Sequence, residues 1–123
     1  MTRTALALTP EQWLAYRPRR RTNEEQAAER WERAWEMART AATLLRDKFG
    51  ASRIVVFGSL TRRAWFTPWS DIDLAAWGIP PDAFYRAVAL VTGLSAEFEV
   101  DLVAPEDCRP ALRQAIMQEG VDL

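Results

Sequence analysis

The chain has 123 residues, 49% of them hydrophobic, with one cysteine, no histidine and a formal net charge of −1. That length and apolar share suit one domain with a sizeable core; a lone Cys108 excludes an intramolecular disulfide framework, and the lack of histidine excludes imidazole catalysis and histidine-based metal sites. Near-neutral charge argues against non-specific nucleic-acid binding, so carboxylates must carry any polar chemistry.

The opening MTRTALALTP is too short and too soon charged for a secretory signal, and no apolar run reaches membrane-spanning length, so a soluble, cytoplasmic protein is expected. Charge is uneven along the chain. Residues 1–50 hold ten Lys/Arg against seven acids, and residues 51–123 hold six against ten, which suggests different tasks for the two halves.

TPEQ, with Thr9 as N-cap, Pro10 in the first helical position and Gln12 three residues on, predicts a short helix over Thr9–Tyr16. The RPRRR run, Arg17–Arg21, reads as a solvated connector. A second capping pattern, TNEE with Thr22 and Glu25, opens a longer helix that runs to Lys48 and stops at Gly50. Within it Ala27, Trp31, Ala34, Trp35, Ala38, Ala42, Leu45 and Phe49 recur every three or four residues, an apolar stripe along a helix of about 39 Å. This helix is expected to pack on the domain, with part of its tryptophan-bearing face as the place for a partner or a second copy.

From Arg53 the period changes. RIVVF reads as a buried strand ended by Gly58-Ser59, and DIDLAAW, Asp71–Trp77, as a second strand that alternates acid and apolar at its start. GIPPD breaks the chain, Ala83–Thr92 forms a helix ended by Gly93, and EFEVDLV, Glu97–Val103, alternates as a third strand. Pro110–Glu119 forms the last helix, stopped by Gly120, with VDL as a final strand stub. Strands interleaved with helices predict an α/β (α+β) fold, a mixed β-sheet covered by helices.

Side chains two apart on a strand share a face, so Asp71 and Asp73 sit side by side and repel. A divalent cation turns that cost into a gain, because magnesium takes carboxylate oxygens and keeps positions open for phosphate and water. If the third strand lies beside the second, Asp101 joins them, and three acids on one sheet face suffice for the two ions of phosphoryl or nucleotidyl transfer. The Gly58-Ser59 turn, ending a strand, offers backbone N–H groups and a hydroxyl to an anion, and Arg62 or Arg63 would neutralise a triphosphate. Trp65, Phe66 and Trp69, between turn and acids, are expected to cap the sheet, with base stacking or a partner surface as alternatives.

The Gly-Ser turn, then residues 60–70, then DID, with a further Asp in VDLV, resembles the minimal nucleotidyltransferases of the DNA polymerase beta superfamily. The resemblance covers about residues 52–123, including PALRQAIMQEGV. It implies a nucleotidyltransferase domain over 51–123, with residues 1–50 as an N-terminal helical extension outside the likeness. It further implies that Gly58, Ser59, Arg62, Arg63 and Ser70 bind the nucleotide. Asp71 and Asp73 become the paired metal ligands, and Asp101 a third ligand or the base toward the acceptor hydroxyl. The expected cofactors are two Mg²⁺ ions, with ATP as substrate.

Small stand-alone chains of this kind resemble the antitoxins of HEPN and minimal-nucleotidyltransferase toxin–antitoxin pairs, which adenylylate a tyrosine of an all-helical RNase toxin. The implied partner is thus a cognate HEPN-type toxin, with no membrane and no direct nucleic-acid ligand. An aminoglycoside-type small acceptor, or an antitoxin that acts by binding alone, are the alternatives. The stretch LTRRAWFTPWS departs from the family pattern by one added residue and by lacking a glycine after the turn.

Overall fold

The computed structural model describes residues 9–11 and 21–123. Most of the Thr9–Tyr16 helix expected from the sequence, and of the Arg17–Arg21 run, lies outside the described residues. Helix α1, Asn23–Phe49, begins at the anticipated capping box: the Thr22 hydroxyl accepts from the Glu25 N–H at 3.1 Å, and the Thr22 N–H donates to the Glu25 carboxylate at 3.4 Å. It ends at Gly50, whose φ of 70° is left-handed and whose N–H returns to the Arg46 carbonyl at 3.1 Å. The chain leaves the helix there to enter the sheet.

Four strands follow: β1 (Arg53–Phe57), β2 (Ile72–Trp77), β3 (Val100–Val103) and β4 (Val121–Asp122). Their spatial order is β3-β2-β1-β4, with β1 antiparallel to both β2 and β4, and β2 parallel to β3. Helix α2 (Pro81–Thr92) makes the crossover that a parallel β2–β3 pair requires, and α3 (Pro110–Glu119) leads into β4. The mixed sheet covered by helices is the arrangement expected from the sequence.

The differences are at element ends. β3 starts at Val100, not Glu97: the Glu97 and Phe98 N–H groups donate to the Ser95 hydroxyl, both at 3.0 Å, and the Glu97 carboxylate takes the Arg33 guanidinium, Nη2 at 2.6 Å and Nε at 3.1 Å. β2 starts at Ile72 rather than Asp71, and α2 starts two residues earlier than expected, at Pro81, which lacks the N–H that a first helical turn leaves unpaired.

Strand alternation sorts side chains onto two faces of different character. Ile54, Val56, Ile72, Leu74, Ala76, Val100 and Leu102 face one core, shared with Ala34, Ala38, Ala41, Ala42 and Leu45 of α1 and Ala87 and Val91 of α2. The run of alanines lets α1 lie close on the sheet. The opposite face holds a smaller cluster, Val55, Ala75 and Ile116, bordered by Phe57, Trp77 and Val103 and covered by α3. The β4 stub is held by Arg53, whose Nε donates to the Asp122 carboxylate at 2.8 Å. No helix among the described residues is long and apolar enough to cross a membrane.

Gly120 joins α3 to β4 where no side chain fits. A Cβ there would lie 2.2 Å from Val55 Cγ1 and 2.3 Å from the Ile116 carbonyl oxygen. Gly120→Ala is therefore expected to lower stability by about 2–4 kcal/mol through overpacking against backbone, measured by denaturant unfolding. A midpoint equal to wild type would show that α3 does not sit so tightly.

Candidate active site

Ile72 is buried in the main core, which turns Asp71 and Asp73 together to the other face, half-buried at the open end of the sheet. In the parallel β2–β3 register Asp73 stands opposite Asp101, neighbours on one face about 4.8 Å apart at the backbone. Asp101 itself is exposed. On the antiparallel side Asp73 faces Phe57, the last residue of β1, so the strand end that carries Gly58 abuts the acids. Contact is close: a Cβ on Gly58 would fall 2.6 Å from Asp73 Oδ2, and the Gly58 φ of 76° is one that L side chains rarely adopt.

Electrostatics centre on Asp73. Burial, then repulsion from Asp101 and from Asp71, raises its carboxyl to about 6. No three acidic side chains among the described residues close around a single point. Magnesium does not need such a cage, since it is held by one or two carboxylates with substrate phosphates and water. The donor set fits a hard cation: oxygen ligands only, mutually repelling, at an open edge beside a glycine that leaves room.

The other residues expected from the sequence fall into two groups. Gly58 and Ser59 open a short 3-10 turn, Gly58–Thr61, beside the acids. Ser70 is instead engaged locally: its hydroxyl accepts from the Thr67 N–H at 2.9 Å and lies 3.1 Å from the Thr67 hydroxyl, closing the turn before Asp71. The Arg62 guanidinium stacks over the Trp65 ring at 4.3 Å, and that of Arg63 is exposed with no ion pair among the described residues. Of the three loop aromatics only Phe66 folds inward, against Phe98, whereas Trp65 is 46% and Trp69 90% exposed.

Read from the sequence, Arg30 has no role and Trp31 lies only on the apolar stripe that packs on the domain or faces a partner. Trp31 Nε1 donates to the Leu60 carbonyl at 3.0 Å, and Arg30 Nη2 to the Pro68 carbonyl at 2.8 Å. α1 thereby reaches both ends of the stretch between the turn and the acids. No local signal marks such contacts, because their partners lie 29 and 38 positions away.

No protein-family model matches the chain, and no curated protein matches it. Solved structures do. A structure described as a minimal nucleotidyltransferase aligns with a TM-score of 0.59 and 26% identity, over 76% of this chain and 95% of the other. A toxin–antitoxin crystallised with AMP-PNP aligns with a TM-score of 0.56 and 24% identity, over 69% and 70% of the two chains. The MntA–HepT toxin–antitoxin gives 0.52 and 22%, over 72% and 69%. With the acids and the glycine turn gathered at one end of a β3-β2-β1-β4 sheet, the chain has the minimal nucleotidyltransferase fold that its sequence resemblance implied.

Proposed function

We propose that this chain is the antitoxin of a toxin–antitoxin pair and acts as a nucleotidyltransferase, moving AMP from ATP to a tyrosine of a HEPN-type RNase toxin. The observation that supports the reading most is the pairing of Asp73 with Asp101 against the Gly58 turn, carboxylates suited to a metal ion beside a glycine turn suited to phosphate oxygens. Its likeness to two toxin–antitoxin structures, one holding AMP-PNP, supports the biological setting.

Asp71, Asp73 and Asp101 are the residues that would hold magnesium, which when bound neutralises charge on the phosphates and the leaving pyrophosphate. Gly58 and Ser59 present backbone N–H groups and a hydroxyl to the triphosphate, with Arg63 free to swing toward it. The acceptor hydroxyl oxygen forms a bond to the α-phosphorus, the bond from that phosphorus to the bridging oxygen breaks, and pyrophosphate departs. The hydroxyl proton passes to Asp101, exposed at the edge where an acceptor arrives. Trp69, held out on a hydrogen-bonded turn, suits a protein acceptor better than a small one, since exposed tryptophan is a typical anchor at protein interfaces.

Incubation with ATP labelled at the α-phosphate, magnesium and a HEPN-type toxin is expected to place label on a tyrosine of that toxin. Label on an aminoglycoside instead would move the function to small-molecule transfer. Neutralisation of the toxin with no label transferred would leave a binding antitoxin and end the enzymatic reading.

A further inference from the structure

The stretch from the phosphate turn to the metal acids lacks the glycine usual after the turn and is long, yet it is not loose. Its near end is Leu60, fully buried, whose carbonyl takes the Trp31 indole N–H at 3.0 Å. Its far end is Pro68, three residues before Asp71, whose carbonyl takes Arg30 Nη2 at 2.8 Å. Both donors are adjacent residues of α1, the helix that precedes the stretch of sequence resemblance.

Neither donor is free to wander. The Arg30 guanidinium lies 4.7 Å over the Phe98 ring and 3.4 Å from Glu97 Oε1, and Glu97 is gripped by the Arg33 fork. Trp31 meets Trp35 edge-on, with centroids 6.0 Å apart. Beneath them the buried alanines fix α1 against the sheet. The β1–β2 register sets Gly58 against Asp73, and the path of the connection between turn and acids, from Leu60 to Pro68, is pinned to α1 by two hydrogen bonds.

We propose that Trp31 and Arg30 are positioning residues of the nucleotide site, holding the connection from the phosphate turn to the metal acids, with Arg62 and Arg63 on it, in the path that a bound nucleoside triphosphate requires. The inference rests on the nucleotide-site reading given above. It makes α1 part of the working site rather than an appendage, because a drift of about 1 Å in the connection moves its arginines and the end of the turn away from the phosphates and costs much of the binding. The arrangement also accounts for a long, glycine-poor connection that still presents an ordered site: the two carbonyls are pinned from outside the loop.

Trp31→Phe keeps an aromatic ring but deletes the N–H together with part of the indole's packing, and Arg30→Lys keeps the charge but loses the planar fork. On the full chain, AMP-PNP binding with magnesium is measured by calorimetry well below the thermal midpoint of each variant. Each single variant is expected to bind about tenfold more weakly, and the pair about a hundredfold, at a temperature where each is still fully folded despite a lower midpoint. Unchanged affinity in both single variants, while wild type binds, overturns the positioning role alone; so does a loss that appears only as the variants begin to unfold. A wild type that does not bind AMP-PNP overturns the nucleotide-site reading, and this inference with it.

Discussion

Asp73→Asn is expected to abolish nucleotide transfer, by about 10²–10³-fold or more, while making the metal-free protein more stable at neutral pH. The two effects have one cause. Burial and the neighbouring Asp101 and Asp71 raise the folded-state pKa of Asp73 to about 6, so its ionised form is disfavoured by the fold. In an unfolded chain the same group titrates near 3.9. Between those values the native state holds a proton that the unfolded state has lost. This contribution to stability is therefore fully present below about pH 4 and is lost as pH rises through about 6.

At pH 7.5 the metal-free wild type bears the whole cost, roughly 1–2 kcal/mol after allowing for solvent screening of a half-buried group. Asn carries no charge and removes it. The thermal midpoint of Asp73→Asn at pH 7.5 is expected to rise by about 4–8 °C, and its advantage to vanish near pH 4. Magnesium with nucleotide should stabilise wild type and leave the variant unmoved. A variant less stable than wild type at pH 7.5 without metal would show that Asp73 is not under electrostatic strain.

Gly58→Ala is expected to damage both the fold and the site. A left-handed φ of 76° costs an L-residue about 1–2 kcal/mol, and the added Cβ would lie 2.6 Å from Asp73 Oδ2, so the carboxylate must swing away from its place opposite Asp101. Stability should fall by about 1–3 kcal/mol and affinity for AMP-PNP with magnesium by at least about tenfold. A double variant separates the terms. In Asp73→Ala the clash has no target, so adding Gly58→Ala there should cost only the backbone part. Equal costs in the two backgrounds would mean that the glycine serves the turn alone and not the approach to Asp73.

Where the chemistry was local, the sequence was a good guide. Thr22 and Glu25 cap each other across three residues, Gly50 ends α1, and Gly120 ends α3, all as expected from neighbours along the chain. The placement of the candidate site residues was legible for the same reason: Asp71 and Asp73 share a face by strand alternation, and Gly58-Ser59 follows the end of β1. Loop aromatics were harder to read. Phe66 and Trp65 are adjacent, yet one is 9% and the other 46% exposed, because only Phe66 finds Phe98 across the fold.

The sequence alone therefore determined the elements, their caps and the identity of the acids, since each depends on residues within a turn or two of the chain. Tertiary structure decided what those elements do together. Only the parallel register places Asp101 opposite Asp73, and only packing of α1 on the sheet brings Trp31 and Arg30 to carbonyls 29 and 38 positions away. Strand pairing and side-chain hydrogen bonds of that reach are chosen by burial of the whole core, which no short window of sequence contains. Hence the acids and the long helix could be named from the sequence, while the contacts of that helix with the connection between turn and acids became visible only in the fold.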